Sequence, residues 1–157
     1  MAKEIMERRA SDNEYLHRDF HRALSTGLDY LGDRYGEQAV RDYLRQFARV
    51  FYAPLREAVM RQGLVALKKH FERIYTTEGG AVEIELSEDR MTLYTAASPA
   101  VTHMRRTGCA VSPYFVETIR TVNEALCEGT GFIAELVAYD ETSGGSVQRF
   151  MRVAPEE

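Results

Sequence analysis

The segment "AVEIELSEDRMTLYTA", Ala81–Ala96, decides the fold. Val82, Ile84 and Leu86 alternate with Glu83 and Glu85, a period of two that belongs to a strand with one buried face. Ser87 to Arg90 supplies turn residues, so the segment predicts a β-hairpin.

N-terminal of the hairpin, the apolar period is helical. Leu67, Phe71 and Ile74 mark a helix over Leu64–Tyr75, set off by Gly63. A short helix is expected from Pro54 to Arg61, because proline ends or kinks the helix before it. That preceding helix starts near Glu37 and carries Val40, Leu44, Phe47 and Phe51. Gly36 parts it from a first helix, about Asp12 to Tyr35, striped by Leu16, Phe20, Leu24, Leu28 and Leu31. Ser11 and Glu14 read as its capping box.

C-terminal of the hairpin, Ser98-Pro99 opens a short helix to Arg106, with serine as cap and proline in the first turn. Ser112-Pro113 opens another, to Glu128, and Gly129 follows its end. "FIAELVAYD" and "SVQRFMRV" then form a second hairpin. The expected class is α+β: N-terminal helices, then two β-hairpins bracketing a helix pair, an antiparallel sheet with its helices mainly on one face. Residues 1–157 are expected to make one domain, with 1–11 as a frayed or disordered N-terminus.

Composition narrows the partners. Apolar residues are 45% and charged residues 28%, ordinary for a globular chain. The net charge of −4 argues against nucleic acid, which calls for a basic face. The charged N-terminus lacks a signal-peptide core, and no apolar run reaches the ~18 residues of a membrane span. A cytoplasmic protein with a small-molecule ligand, no membrane partner and no cofactor is the expectation. Assembly into a homo-oligomer is left open.

Both cysteines flank the Pro113–Glu128 segment. As a helix it is roughly 24 Å long at about 1.5 Å per residue, whereas a disulfide needs Cα atoms within about 7 Å. Cys109 and Cys127 are therefore expected to stay free. Cys109 lies just ahead of that helix with Arg105 and Arg106 near it in sequence. It is either a reactive thiolate or a small buried hydrophobe. "EGTG" follows a helix and precedes a strand, the wrong order for a phosphate loop.

Asn123 falls inside the apolar arc of Phe115, Ile119, Val122 and Leu126, whereas Glu117, Arg120 and Glu124 point away. A buried amide must be hydrogen-bonded, so Asn123 either ties down neighbouring structure or lines a pocket. His17 and His21 stand one turn apart on the first helix. They read as a semi-buried pair, as part of a polar pocket, or as half of a zinc site whose remaining ligands and HExxH glutamate are missing, so no metal is assigned. His103 sits on the short helix after Ser98, and His70 reads as a solvated or capping histidine. Arg149 is a buried cation awaiting a carboxylate or, the favoured choice, an exposed partner of Glu83, Glu85 or Glu135.

"SPAVTHMRRTGCAVSPYFVETIRTVNEALCEGTGFIAEL", with the earlier "YGEQAVRDYLRQFARVFYAPL", resembles the L-2-amino-thiazoline-4-carboxylic acid hydrolase-like family. The likeness runs from about Glu14 to Val153 and rests on the order and spacing of elements. It implies a small cytoplasmic hydrolase that opens a thiazoline ring. Family members often carry Cys-Pro-Ala at the start of the short helix. This chain has Ser98-Pro99-Ala100 there, which puts the activity in doubt.

The functional expectation is thus a small-molecule hydrolase-like protein acting on a polar C–N compound such as an aminothiazoline carboxylate. The alternative is a non-catalytic small-ligand binder or sensor on the same scaffold. Cys109, His21 and His17 are the catalytic candidates; Asn123, His103 and Arg149 are the substrate-binding candidates. His17, His21 and Asn123 are expected to converge between the first helix and the Pro113–Glu128 helix.

Overall fold

The computed structural model describes residues 18–154. Their order is α1 (Asp19–Tyr35), α2 (Glu37–Phe51), α3 (Ala53–Gln62), α4 (Leu64–Glu78), β1 (Glu83–Leu86), β2 (Arg90–Ala97), α5 (Pro99–Arg106), α6 (Glu117–Cys127), β3 (Phe132–Tyr139) and β4 (Gly144–Arg152). The fold is α+β, as the change of period at Ala81 requires. The Ser11–Glu14 capping box lies outside the described residues. Pro54 falls in the first turn of α3, where its missing N–H breaks no helical bond. Ser98 caps α5 by accepting a bond from Val101 N–H.

The sheet order is β1-β2-β4-β3, every pair antiparallel. The two hairpins are joined by β2 against β4, with Met91 opposite Phe150, Leu93 opposite Gln148 and Thr95 opposite Ser146. These six side chains are buried beneath the helices. The other face carries Glu135 and Arg149 and leaves Tyr94 and Ile133 exposed. One core cluster joins α1, α2, α5 and α6 through Leu28, Leu44, Met104 and Val122. A second joins α3, α4 and the sheet through Val59, Leu67, Met91 and Phe150. Tyr52 packs against both. No described helix is long and apolar enough to cross a membrane.

Three local expectations need correction. The helix expected from Pro113 becomes regular only at Glu117. Phe115 and Glu117 instead bond to the carbonyls of Ser112 and Tyr114, three residues back. Tertiary ties hold this tighter turn: Ser112 N–H donates to Ser25 Oγ on α1 at 2.8 Å. The Tyr114 ring also fills the space where a Cβ on Gly32 would stand.

Glu117, which periodicity turned outward, is 1% exposed. Its carboxylate accepts from the Thr121 hydroxyl at 2.6 Å and from Arg120 at 2.7 Å, with Arg41 of α2 at 3.5 Å. Two cations and a hydroxyl compensate the lost hydration, which an apolar-period argument does not count.

His70, expected to be solvated or a cap, is half-buried within α4. It meets the Tyr52 and Phe71 rings edge-on at 5.5 and 5.3 Å, and burial pushes its pKa down to about 4.

Candidate functional site

A cavity of about 320 Å³ opens between the start of α1, the end of α4 and one face of α5. The sequence leaves room for it by placing small residues in the wall: Gly79, Gly80, Ala81, Ala96 and Ala97. α4 must stop sharply here. Gly79 takes a left-handed conformation at φ 73°, and Gly80 N–H bonds back to Tyr75 O at 2.8 Å. This helix-ending turn suits glycine, which has no Cβ to clash. A Cβ on Gly80 would run into the Pro99 ring.

Into this space α1 brings His21, α4 brings Glu78, and α5 brings His103 and Arg106. His21 Nε2 lies 3.3 Å from Glu78 Oε1, and the two side chains are 15% and 10% exposed. The distance is that of an ion pair, whereas Nε2 has no hydrogen-bond partner, so the contact is electrostatic. His103 Nε2 lies 3.2 Å from Asp19 Oδ1, while its Nδ1 is buried without a partner. Arg18 completes the lining and donates to Glu78 O at 3.4 Å. Two histidine–carboxylate pairs thus hold the first turn of α1 over the cavity.

The structure sorts the sequence candidates. His21 and His103 come together. His17 lies outside the described residues. Asn123 does not line this cavity. Its Nδ2 donates to Gln148 Oε1 at 2.7 Å, and Gln148 Nε2 donates to Ser146 Oγ at 2.9 Å. Burial raises the pKa of the nearby Tyr75 hydroxyl. Asn123 therefore ties α6 to β4, and the expected meeting of His21 with Asn123 gives way to one with Glu78 and His103.

Arg149 lies on the outer sheet face opposite Glu135, with Nη1 3.3 Å from Oε2. Cys109 also stands apart from the cavity lining. Its N–H closes the C-terminal end of α5 on Met104 O at 2.8 Å, and its sulfur contacts the Thr107 hydroxyl at 3.4 Å. That is the negative end of a helix, the reverse of the expected setting at a helix start. Cys127 is buried, which pushes its thiol up to about 12, against the opposing pull of Arg56. No cluster of three or more metal-ligating side chains occurs among the described residues.

Sequence reasoning missed Glu78. The signal available was Glu78-Gly79-Gly80, a carboxylate at a forced helix end, facing the Ala-Ala-Ser-Pro entry to α5. No protein-family model matches this chain, and no curated protein matches it.

Proposed function

We propose that the protein is a hydrolase-like enzyme whose cavity between α1, α4 and α5 acts on a small polar C–N compound. The observation that carries this reading is the pairing of His21 with Glu78 inside a space of about 320 Å³. The Glu78 carboxylate beside the ring stabilises the imidazolium that forms when His21 takes a proton. A water held at His21 would give up a proton as it attacks an amidine-type carbon. A C–O bond forms, the C–N bond breaks, and the departing nitrogen recovers the proton from the imidazole. The resemblance to the aminothiazoline carboxylate hydrolase-like family points to the same bond class.

In this reading water is the nucleophile, because neither Cys109 nor the capping Ser98 hydroxyl is presented to the cavity. That same observation favours the second reading, a non-catalytic binder. Incubation with aminothiazoline carboxylates and simple cyclic amidines, followed by proton NMR, separates the two. Turnover that falls by about 10²-fold in His21→Ala and persists in Cys109→Ser supports the enzyme. Saturable binding without product supports the binder. Turnover lost in Cys109→Ser but kept in His21→Ala would sink the histidine mechanism.

A further inference from the structure

We propose that this cavity contains an oxyanion subsite anchored by Arg106, with His21 and His103 adding positive charge behind it when protonated. The inference rests on the cavity being the ligand site, as proposed above, but not on any hydrolysis there.

Charge is the first ground. In a protein of net charge −4, the lining carries two arginines and two histidines against one carboxylate, Glu78. Open valence is the second. Arg106 follows His103 by three positions on the cavity face of α5 and is exposed. Among the described residues it makes no hydrogen bond or ion pair. Its neighbours differ: Arg18 donates to Glu78 O, and Arg105 turns away to Glu141 O at 2.9 Å. Hydrogen bonding is the third. His21 Nε2 and His103 Nδ1 are both buried without hydrogen-bond partners, and in the imidazolium form each is a donor lacking an acceptor. A bound carboxylate or phosphate supplies the missing acceptors and charge, and a guanidinium fork suits either group.

The surroundings set the proton coupling. His21 is faced by Glu78 from α4 and shares the lining with Arg18, the residue that precedes α1. His103 is faced by Asp19 from α1 and has Arg106 on its own helix. Each imidazole contacts one carboxylate and shares the cavity lining with Arg18 and Arg106. An anion placed among them shifts the balance toward the imidazolium, so anion uptake brings proton uptake with it.

The test titrates acetate and, separately, inorganic phosphate into the full chain at low ionic strength, following the imidazole signals by NMR. His21→Gln and His103→Gln assign those signals, and His70 serves as an internal reference within its aromatic surroundings. Expected are saturable shifts at His21 and His103, tighter at pH 6 than at pH 8. Arg106→Gln should weaken affinity about tenfold, the effect of losing one charged hydrogen bond, and Arg105→Gln should leave it unchanged. Saturation by acetate alone marks a carboxylate ligand, and by phosphate alone a phosphorylated one. No saturable shift, or equal affinity in Arg106→Gln, overturns the subsite. If anions bind but no C–N compound turns over, the hydrolase reading falls while the subsite stands.

Discussion

His70 shows how one side chain ties acid stability to packing. Between the Tyr52 and Phe71 rings it is held neutral, with its pKa lowered from 6.5 to about 4. In the unfolded chain it takes a proton first, so stability is full above about 6.5 and falls between about 6.5 and about 4. The loss should be on the order of 1–3 kcal/mol. Urea unfolding at pH 7 and pH 4.5 should show it, and His70→Phe should flatten the difference; an equal loss in the variant would refute the assignment. The two thiols make a second contrast. Cys127 is buried with its pKa pushed up to about 12, whereas Cys109 is half-buried at a helix end. Iodoacetamide at pH 8 should therefore label Cys109 well ahead of Cys127 in the native protein, as read by peptide mass. At this scale the Ser98 cap was legible, because capping is local. The aromatic surroundings of His70 were legible only in part: Phe71 is its neighbour in sequence, but Tyr52 reaches it through helix packing.

α6 is the element in which local rules and tertiary structure disagree most. Its apolar arc was legible, but the inward turn of Glu117 was not. Arg41 comes from α2, far away in sequence, and only the packing of α2 on α6 brings it near. Glu117→Ala should remove this clamp and strand the buried Thr121 hydroxyl, at a cost of about 1–3 kcal/mol. Arg120→Ala should cost under about 1 kcal/mol, because that side chain is 40% exposed. Denaturant midpoints would decide, and equal losses in both variants would mean that the buried carboxylate has no special role. Asn123 belongs to the same element. Asn123→Leu strands Gln148 Oε1 in the core and should cost about 1–3 kcal/mol. Its burial followed from the helical period, but its partner lay on a strand paired elsewhere.

At the scale of the whole molecule, Tyr52 bridges the two core clusters at the junction of α2 and α3. Its ring meets Phe47, Phe51 and His70. Tyr52→Ala should cost about 2–3 kcal/mol, less than a full core truncation because the ring is only partly buried, and a loss under about 1 kcal/mol would show that the clusters stand independently. The fold class was readable because the helical and strand periods divide the chain at Ala81. The cavity was not, because it forms where α1, α4 and α5 meet, and no local pattern reports that α5 returns to α1. His21 was therefore paired with its neighbour in sequence, His17, and its neighbour in space, His103, was ranked on other grounds.

The strand order carries a consequence for how the polypeptide is made. β2 sits between β1 and β4, and Met91 waits for Phe150 as its partner. During vectorial synthesis the first hairpin emerges long before the strand that covers its second edge. Until then Met91 and Leu93, which end fully buried, lie beside a row of unpaired backbone groups. A chain that has emerged only through α6 leaves that edge bare, a template for aggregation. The interval between the emergence of α6 and that of β4 is therefore the one in which this edge stays unpaired.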